Sequence, residues 1–340
     1  MHIKVIRKIE DFDALAVEWN ELLRFSARQV PFLRHEFLSA WWRTLGGGEW
    51  ERGDLLILAG YGKDGALRGA APLFLTQNRE GAAALMLLGS LEIADYLDIL
   101  ARPADLPAFV SAMLDFLHGP QAPDWQVLDL YNILEDSPSL PALQAEAERR
   151  GLDFTQEKLQ HCPYIPLPGD WETYLAGIDK KQRHEIRRKI RRAESQEQPV
   201  RWYIVEDSRS LESEIEAFLD LMAQDADKRA FLTEVMRQQM RLAMKAAFDA
   251  GWLQLAFLEV GGVKAAGYLN FDYASHIWVY NSGIDYDFSS LSPGWVLMGY
   301  LLQWANENKR EAFDFMRGDE DYKYRFGGVD RFVVRVRVKR

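Results

Sequence analysis

One cysteine, Cys162, stands in a chain of 340 residues. A single thiol excludes an internal disulfide and a thiolate metal cluster. His161 precedes it in "HCPY", but adjacent side chains of an extended segment point to opposite faces, so the cysteine reads as passive. Histidine is scarce too. The six, at 2, 35, 118, 161, 184 and 276, include no pair at a metal-ligating spacing such as i, i+4, and no metal site is expected. No apolar run approaches the roughly 18 residues that cross a bilayer. The opening "MHIKVIRKIEDF" puts charges where a signal peptide needs an unbroken apolar stretch, so the expected compartment is the cytoplasm. Segments with the low hydrophobicity of disordered chains are missing as well.

Present instead are 48% hydrophobic residues and eleven Trp, ample for a folded core, in a length that suits two domains of about 150 residues. The formal net charge is −10, yet "KKQRHEIRRKIRRAE", Lys180 to Glu194, carries eight Lys or Arg against two Glu. At 100° per residue Lys180, Arg183, Arg187 and Arg191 align along one side of a helix. Lys181, Arg188 and Arg192 fall beside them, and Ile186, Ile190 and Ala193 form a narrow apolar stripe opposite. Such a helix can dock by its stripe and display its charge to an anion. A merely solvated face, laced by pairs such as Glu185 with Lys189, is the plain alternative. Duplex DNA is not an expected partner: one basic segment in an acidic chain leaves a small footprint, without a zinc motif or a basic aromatic platform.

A pattern recurs along the chain. "LLILAGYGKDGALRGAAPLFL" (55–75) and "LQLAFLEVGGVKAAGYLNF" (253–271) each read as a hairpin. Helical segments precede them at 32–45 and 231–250, a third strand follows at 95–100 and 277–282, then a helix at 106–117 and 294–308, then an apolar strand at 125–133 and 312–316. Helix, hairpin, strand, helix, strand thus occurs twice. The expected organisation is a first domain over 1–160, an extended crossing over 161–179 with Pro163, Pro166, Pro168 and Gly169, and a second domain over 180–340 that begins with the basic helix 180–194.

The copies differ where a ligand would bind. In the second, "SSLSPGWVLMGYLL" opens a helix with Ser292 as cap, Pro293 in the first turn and Gly294 beside it. Free amides and a residue lacking Cβ suit a phosphate there, although the same residues also make an ordinary helix start. The first copy has Asp105 and no glycine at that place. Farther on, "FDFMRGDEDYKYRFGG" (313–328) crowds charges beyond the end of a buried strand, where α/β sheets place their chemistry. A carboxylate there could take a proton from an attacking amine, and a tyrosine could return one to a leaving group. A solvated loop is the bland alternative.

These residues carry a family likeness. The strand, the "SPG" helix start and "FDFMRGDEDYKYRFG", together with "PFLRHEFLSAWW" and "SLEIADYLDIL", resemble the GNAT acyltransferase superfamily, in its CelD/BcsL-type branch linked to cellulose and exopolysaccharide biosynthesis. Tandem units joined by a helical element are also similar to the FemAB-type peptidyltransferases, which draw aminoacyl groups from tRNA. The resemblance implies an α/β (α+β) fold of two tandem GNAT-like units, each a mixed, mostly antiparallel sheet flanked by helices, the first degenerate and the second catalytic. It implies acetyl-CoA or another acyl-CoA as co-substrate, its pantetheine arm along Tyr280, Asn281 and Ser282 and its diphosphate at Ser292, Pro293, Gly294 and Trp295. The sequence offers one glycine at that turn where the usual signature has two or more. Tyr322, with Tyr324 as second choice, matches the tyrosine that protonates the departing thiolate.

On this reading an amine or hydroxyl attacks the acyl carbonyl with Glu320, or failing that Asp319, as base, while amides near Asn281 and Ser282 hold the oxyanion. The expected acceptor is a small molecule, glycan or peptide. Asp95, Tyr96 and Asp98 are possible acceptor contacts or plain turn residues, and Arg183, Arg187, Arg191, Arg317 and Lys323 are candidate substrate contacts. An aminoacyl-tRNA-dependent transferase, and a non-catalytic protein whose basic helix binds an anionic partner, stand as alternatives.

Overall fold

A computed structural model describes residues 1–339 as two compact units. The first holds Met1–Gln160 and the last strand of the chain; the second is His161–Arg331. Elements of the first, in chain order, are β1 (His2–Ile6), α1 (Ile9–Asp13), α2 (Ala16–Phe25), α3 (His35–Gly48), β2 (Asp54–Tyr61), β3 (Leu67–Gln77), β4 (Ala83–Leu87), β5 (Leu100–Ala101), α4 (Leu106–His118), β6 (Val127–Leu134), α5 (Ser139–Arg149) and β7 (Asp153–His161). The second contains β8 (Tyr164–Pro166), α6 (Trp171–Gly177), α7 (Lys180–Glu194), β9 (Val200–Ile204), α8 (Leu211–Met222), α9 (Ala226–Phe231), α10 (Glu234–Asp249), β10 (Leu253–Val260), β11 (Val263–Tyr273), β12 (His276–Ile284), α11 (Pro293–Glu307), β13 (Ala312–Asp314) and α12 (Asp321–Arg325). The chain then closes with β14 (Phe332–Lys339).

The two sheets run in matching order, β1-β2-β3-β4-β6-β14-β7 and β9-β10-β11-β12-β13-β8. In each, a hairpin leads to a third antiparallel strand, which then pairs in parallel with a strand reached through a helix: β4 with β6, and β12 with β13. The fold is therefore a mixed α/β arrangement of two sheets flanked by helices, as expected. Gly261 and Gly262, both at positive φ, form the two-residue turn of the β10–β11 hairpin, a conformation that costs side-chain-bearing residues most.

Three expectations are corrected. The last strand belongs to the first unit, so a second domain of 180–340 overruns by β14. Val333, Val334, Val336 and Val338 are buried there, and Arg335 lies over the Tyr131 ring while holding the fully buried Asp129 of β6 at 2.7 and 2.8 Å. The segment 161–179 is not simply an extended crossing. β8 pairs with β13, and Asp170 caps α6, whose Tyr174 hydroxyl donates to the Phe326 carbonyl at 2.6 Å. Pro166 is tolerated because β8 is an edge strand. Finally, the third strand of the first unit is β4, not 95–100. The apolar residues Leu91, Ile93, Leu97 and Ile99 mimic a strand but are buried as an irregular segment, of which only Leu100–Ala101 joins the sheet.

Candidate active site

β12 is paired on both sides only at its beginning. His276, Ile277 and Trp278 face Ala312, Phe313 and Asp314, and there β13 ends, while β12 continues to Ile284 against β11 alone. A register shift opposite Leu269 and Asn270, which face Asn281 and Val279, leaves Tyr280 as the extra residue of a bulge in β12 just beyond that level. The edge of residues 279–284 thus has no strand beside it, and backbone groups on such an edge are available to a ligand. Asn281 and Ser282 lie on this edge. Tyr280 packs its ring on Phe271, with centroids 5.3 Å apart.

The edge is nevertheless furnished. Ser282 N–H donates to Asn281 Oδ1 at 2.9 Å, so one of the two amides expected to hold an oxyanion is already engaged by a side chain. Lys228 of α9 donates from Nζ to the Ser282 carbonyl at 2.5 Å, with Ser282 Oγ at 3.4 Å. α8 reaches β12 closely because Gly283 has no Cβ: one placed there would stand 2.5 Å from the Met222 nitrogen. Burial holds Lys228 below the usual lysine range, against the opposing pull of Asp225 and Glu320.

Beside the edge α11 begins. Ser292 takes a left-handed conformation (φ 54°) and makes no side-chain cap; Pro293 follows, and the amides of Gly294 and Trp295 have no acceptor within the helix. Gly294 is closely packed: a Cβ there would meet Ile284 Cδ1 at 2.7 Å and lie 3.8 Å from the Tyr268 hydroxyl. Trp295 lies against Phe326 at 4.5 Å, and Lys189 of α7 sits 4.4 Å above its ring. Any phosphate at this turn would meet the Gly294 and Trp295 amides without a glycine-rich loop around it.

Opposite β12 lies the loop after β13. Asp314, buried, pairs with Arg331 and accepts from the Met316 amide at 2.8 Å. Lys323, 2% exposed, turns inward: Nζ donates to the carbonyls of Arg317 at 2.8 Å and Gly318 at 3.1 Å and to Glu320 Oε2 at 2.8 Å. Its role as a substrate contact is therefore corrected. The ammonium is spent within the loop, because α12 folds Lys323 back beneath it. Glu320 is more than half exposed and ion-paired with Lys323. Asp319 is exposed. Tyr322 is half-buried edge-on to Phe315, at 5.8 Å, and burial, then the Glu320 charge, raise its hydroxyl well above the usual tyrosine range. Buried Tyr268, shifted the same way by burial and then by Tyr322, lies near it. Tyr324 is exposed and reaches Asp330 at 3.4 Å, leaving Tyr322 the tyrosine nearer the site. Arg317 is half-buried in the loop.

The basic helix docks as its stripe requires. Ile186 and Ala193 are buried, and Gly299 of α11 lets Ile190 approach to 3.0 Å from where a Cβ would stand. Asp179 caps it by accepting from Lys181 and Gln182 amides at 2.9 and 3.2 Å. Part of its charge is engaged locally. Arg187 pairs with Glu172, Arg188 and Lys189 pair with Glu185, and Arg183 donates to the carbonyls of Leu175 and Ala176. One surface groove is lined by Lys181, His184, Arg188 and Arg325, another by Arg187, Arg191 and Gln303.

The candidates of the first unit are buried. Asp95, Tyr96 and Asp98 are at most 5% exposed. Asp98 accepts from the Ser137 hydroxyl and the Ile99 amide, and burial raises its carboxyl above the usual range. Beyond the short β4–β6 pairing, Asn132 of β6 donates to the Leu91 and Ala94 carbonyls at 2.8 and 2.9 Å, so the segment after β4 is tied to β6 there. Lys228 and Tyr268 were missed by sequence reasoning. "QDADKRAFLT" has no motif, and Tyr268 reads as any tyrosine in a strand; what sets them apart is the bond from Lys228 to the Ser282 carbonyl and the nearness of Tyr268 to Tyr322.

Residues 180–324 match the family described as Acetyltransferase (GNAT) domain. That stretch runs from α7 into α12 and lies within the second unit. No curated protein matches the chain significantly. Among solved structures it is similar to FemX, at 11% identity and a TM-score of 0.64 over 98% of this chain and 97% of that one. It is also similar to L-PGS from Bacillus licheniformis, at 14% and 0.58 over 97% and 91%. A third likeness is to a tandem GNAT protein from the clavulanic acid biosynthesis pathway, at 13% and 0.50 over 98% of each. At these identities the likeness is one of fold. That likeness accords with two mixed sheets, each flanked by helices. Among the described residues no helix is long and apolar enough to cross a membrane.

Proposed function

We propose that the protein transfers an acyl group from acetyl-CoA or another acyl-CoA to an amine or hydroxyl at the edge of β12. The observation that carries this is the parting of β12 from β13 after Trp278, beside a helix whose first amides face no intrahelical acceptor. The pantetheine arm would lie along 279–284 and the diphosphate at Gly294 and Trp295. Glu320, with Asp319 as substitute, takes the proton of the acceptor, and Tyr322, kept protonated by burial, gives one to the departing thiolate. The resemblance to the CelD/BcsL branch supports a glycan or cell-envelope acceptor.

A second reading, an aminoacyl-tRNA donor, is favoured by the closed side of Gly294 and by the basic groove of α7 with Arg325. Titration of the full-length protein with acetyl-CoA, longer acyl-CoAs and aminoacyl-tRNA at two salt concentrations separates the two. Saturable thioester binding with shallow salt dependence is expected. Affinity for tRNA alone, falling steeply with salt as counterions are released, gives the second reading. No binding by any donor leaves only the anion-binding protein.

A further inference from the structure

We propose that Lys228 is the catalytic group that receives the negative charge developing on the acyl oxygen. The inference rests on the acyl-transfer reading above and supplies the part that the expected backbone donor cannot. An oxyanion donor must stand ready at the edge of β12, where the carbonyl would lie. The Ser282 amide, the obvious choice, already donates to Asn281 Oδ1. Its carbonyl, one peptide unit along the same edge, holds the Lys228 ammonium at 2.5 Å. An ammonium has three donors; one is fixed on the Ser282 carbonyl and a second reaches its hydroxyl at only 3.4 Å, leaving at least one for a substrate oxygen.

The position is built rather than accidental. Asp225 caps α9 by accepting from the amides of Asp227 and Lys228 at 3.0 Å, and Tyr286, in the turn before α11, reaches Asp225 at 3.4 Å. Gly283 brings α8 against the strand, so the α8–α9 corner is held where Lys228 can reach over the edge. The charges about Lys228 are Asp225 and Glu320, and Glu320 is itself tied to Lys323.

In the reaction the acceptor N–H or O–H adds to the carbonyl carbon while the C=O π pair moves onto oxygen, beside Lys228. The acceptor proton passes to Glu320. When the pair returns, the C–S bond of a thioester, or the C–O bond of an ester, breaks, and the leaving atom takes the proton of Tyr322. Acyl donor and acceptor become acylated acceptor and free thiol or alcohol, and Lys228 ends as it began.

The test uses the full chain with acetyl-CoA and, separately, alanyl-tRNA as donors and hydroxylamine as the trapping nucleophile, scored as hydroxamate above the uncatalysed background. Lys228→Met is expected to lower kcat by about 10²–10³-fold with the donor KM nearly unchanged, the loss typical of one oxyanion donor. Lys228→Arg keeps part of the rate. Wild-type kcat falls at alkaline pH below the ordinary lysine pKa of 10.5, because burial favours the neutral amine. That limb vanishes in Lys228→Arg, which does not titrate. An active wild type with Lys228→Met within threefold of its kcat overturns the assignment and leaves acyl transfer standing. A wild type inactive with both donors overturns the transfer reading and the assignment together. Should Lys228→Met fail to fold, the pH profile of Lys228→Arg decides: an alkaline limb unchanged from wild type overturns the assignment.

Discussion

Lys323 and Asp98 show how little a charged letter says about its surroundings. Both read as contacts for a substrate, and both are buried and bonded to their own chain. For Asp98 the sign of the consequence is fixed. Its carboxyl is raised above 3.8 by burial, despite hydrogen bonds from Ser137, Ser139 and the Ile99 amide, so the folded form holds the proton more tightly than the unfolded chain. This group's contribution is complete below pH 3.8 and is lost as pH rises through the folded pKa. Asp98→Asn should remove that loss: urea midpoints measured across the acidic range should diverge from wild type in favour of the variant as pH rises. The Ser137 hydroxyl, which can turn to serve either acceptor, keeps the replacement satisfied.

Among elements, α7 was readable and the third strand of the first unit was not. A stripe of Ile186, Ile190 and Ala193 amid eight cations has one periodicity and one way to dock, and it docks so. The run "SLEIADYLDIL" alternates like a strand while being tied to Asn132 of β6 through the Leu91 and Ala94 carbonyls, a distinction that depends on space, not pattern. The candidate site was half legible for the same reason. Strand 277–282 and the turn at Pro293 could be placed from local signals, but the reach of Lys228 to Ser282, 54 residues on, and the turning-in of Lys323 on the carbonyls of its own loop depend on the folded chain. The docking of α7 on α11 gives a contrast to measure. Gly299→Leu, which drives a side chain into Ile190, should cost about 1–3 kcal/mol in chemical denaturation as an overpacked contact. Arg188→Gln with Arg191→Gln, on the exposed side of the same helix, should leave the melting temperature where it is, since such surface pairs contribute little.

At the scale of the molecule, the doubled order of elements was visible, yet the membership of the last strand was not. "FVVRVRVK" alternates well enough to be a strand of either unit, and what assigns it is the buried pair of Arg335 with Asp129 across β6. A chain ending at Arg331 would keep all of residues 1–160 and still lose the strand between β6 and β7, with Asp129 left buried without its cation. Removing one partner of such a pair alone costs about 3–5 kcal/mol. Loss of cooperative unfolding of the first unit, seen as flattened near-ultraviolet circular dichroism, is the expected result.

The same route has a bearing on biosynthesis. Since the second unit is spliced between β7 and β14, a ribosome delivers every residue of it before releasing the piece that finishes the earlier one. The unit built on residues 1–160 must therefore wait with an incomplete sheet until β14 has been made.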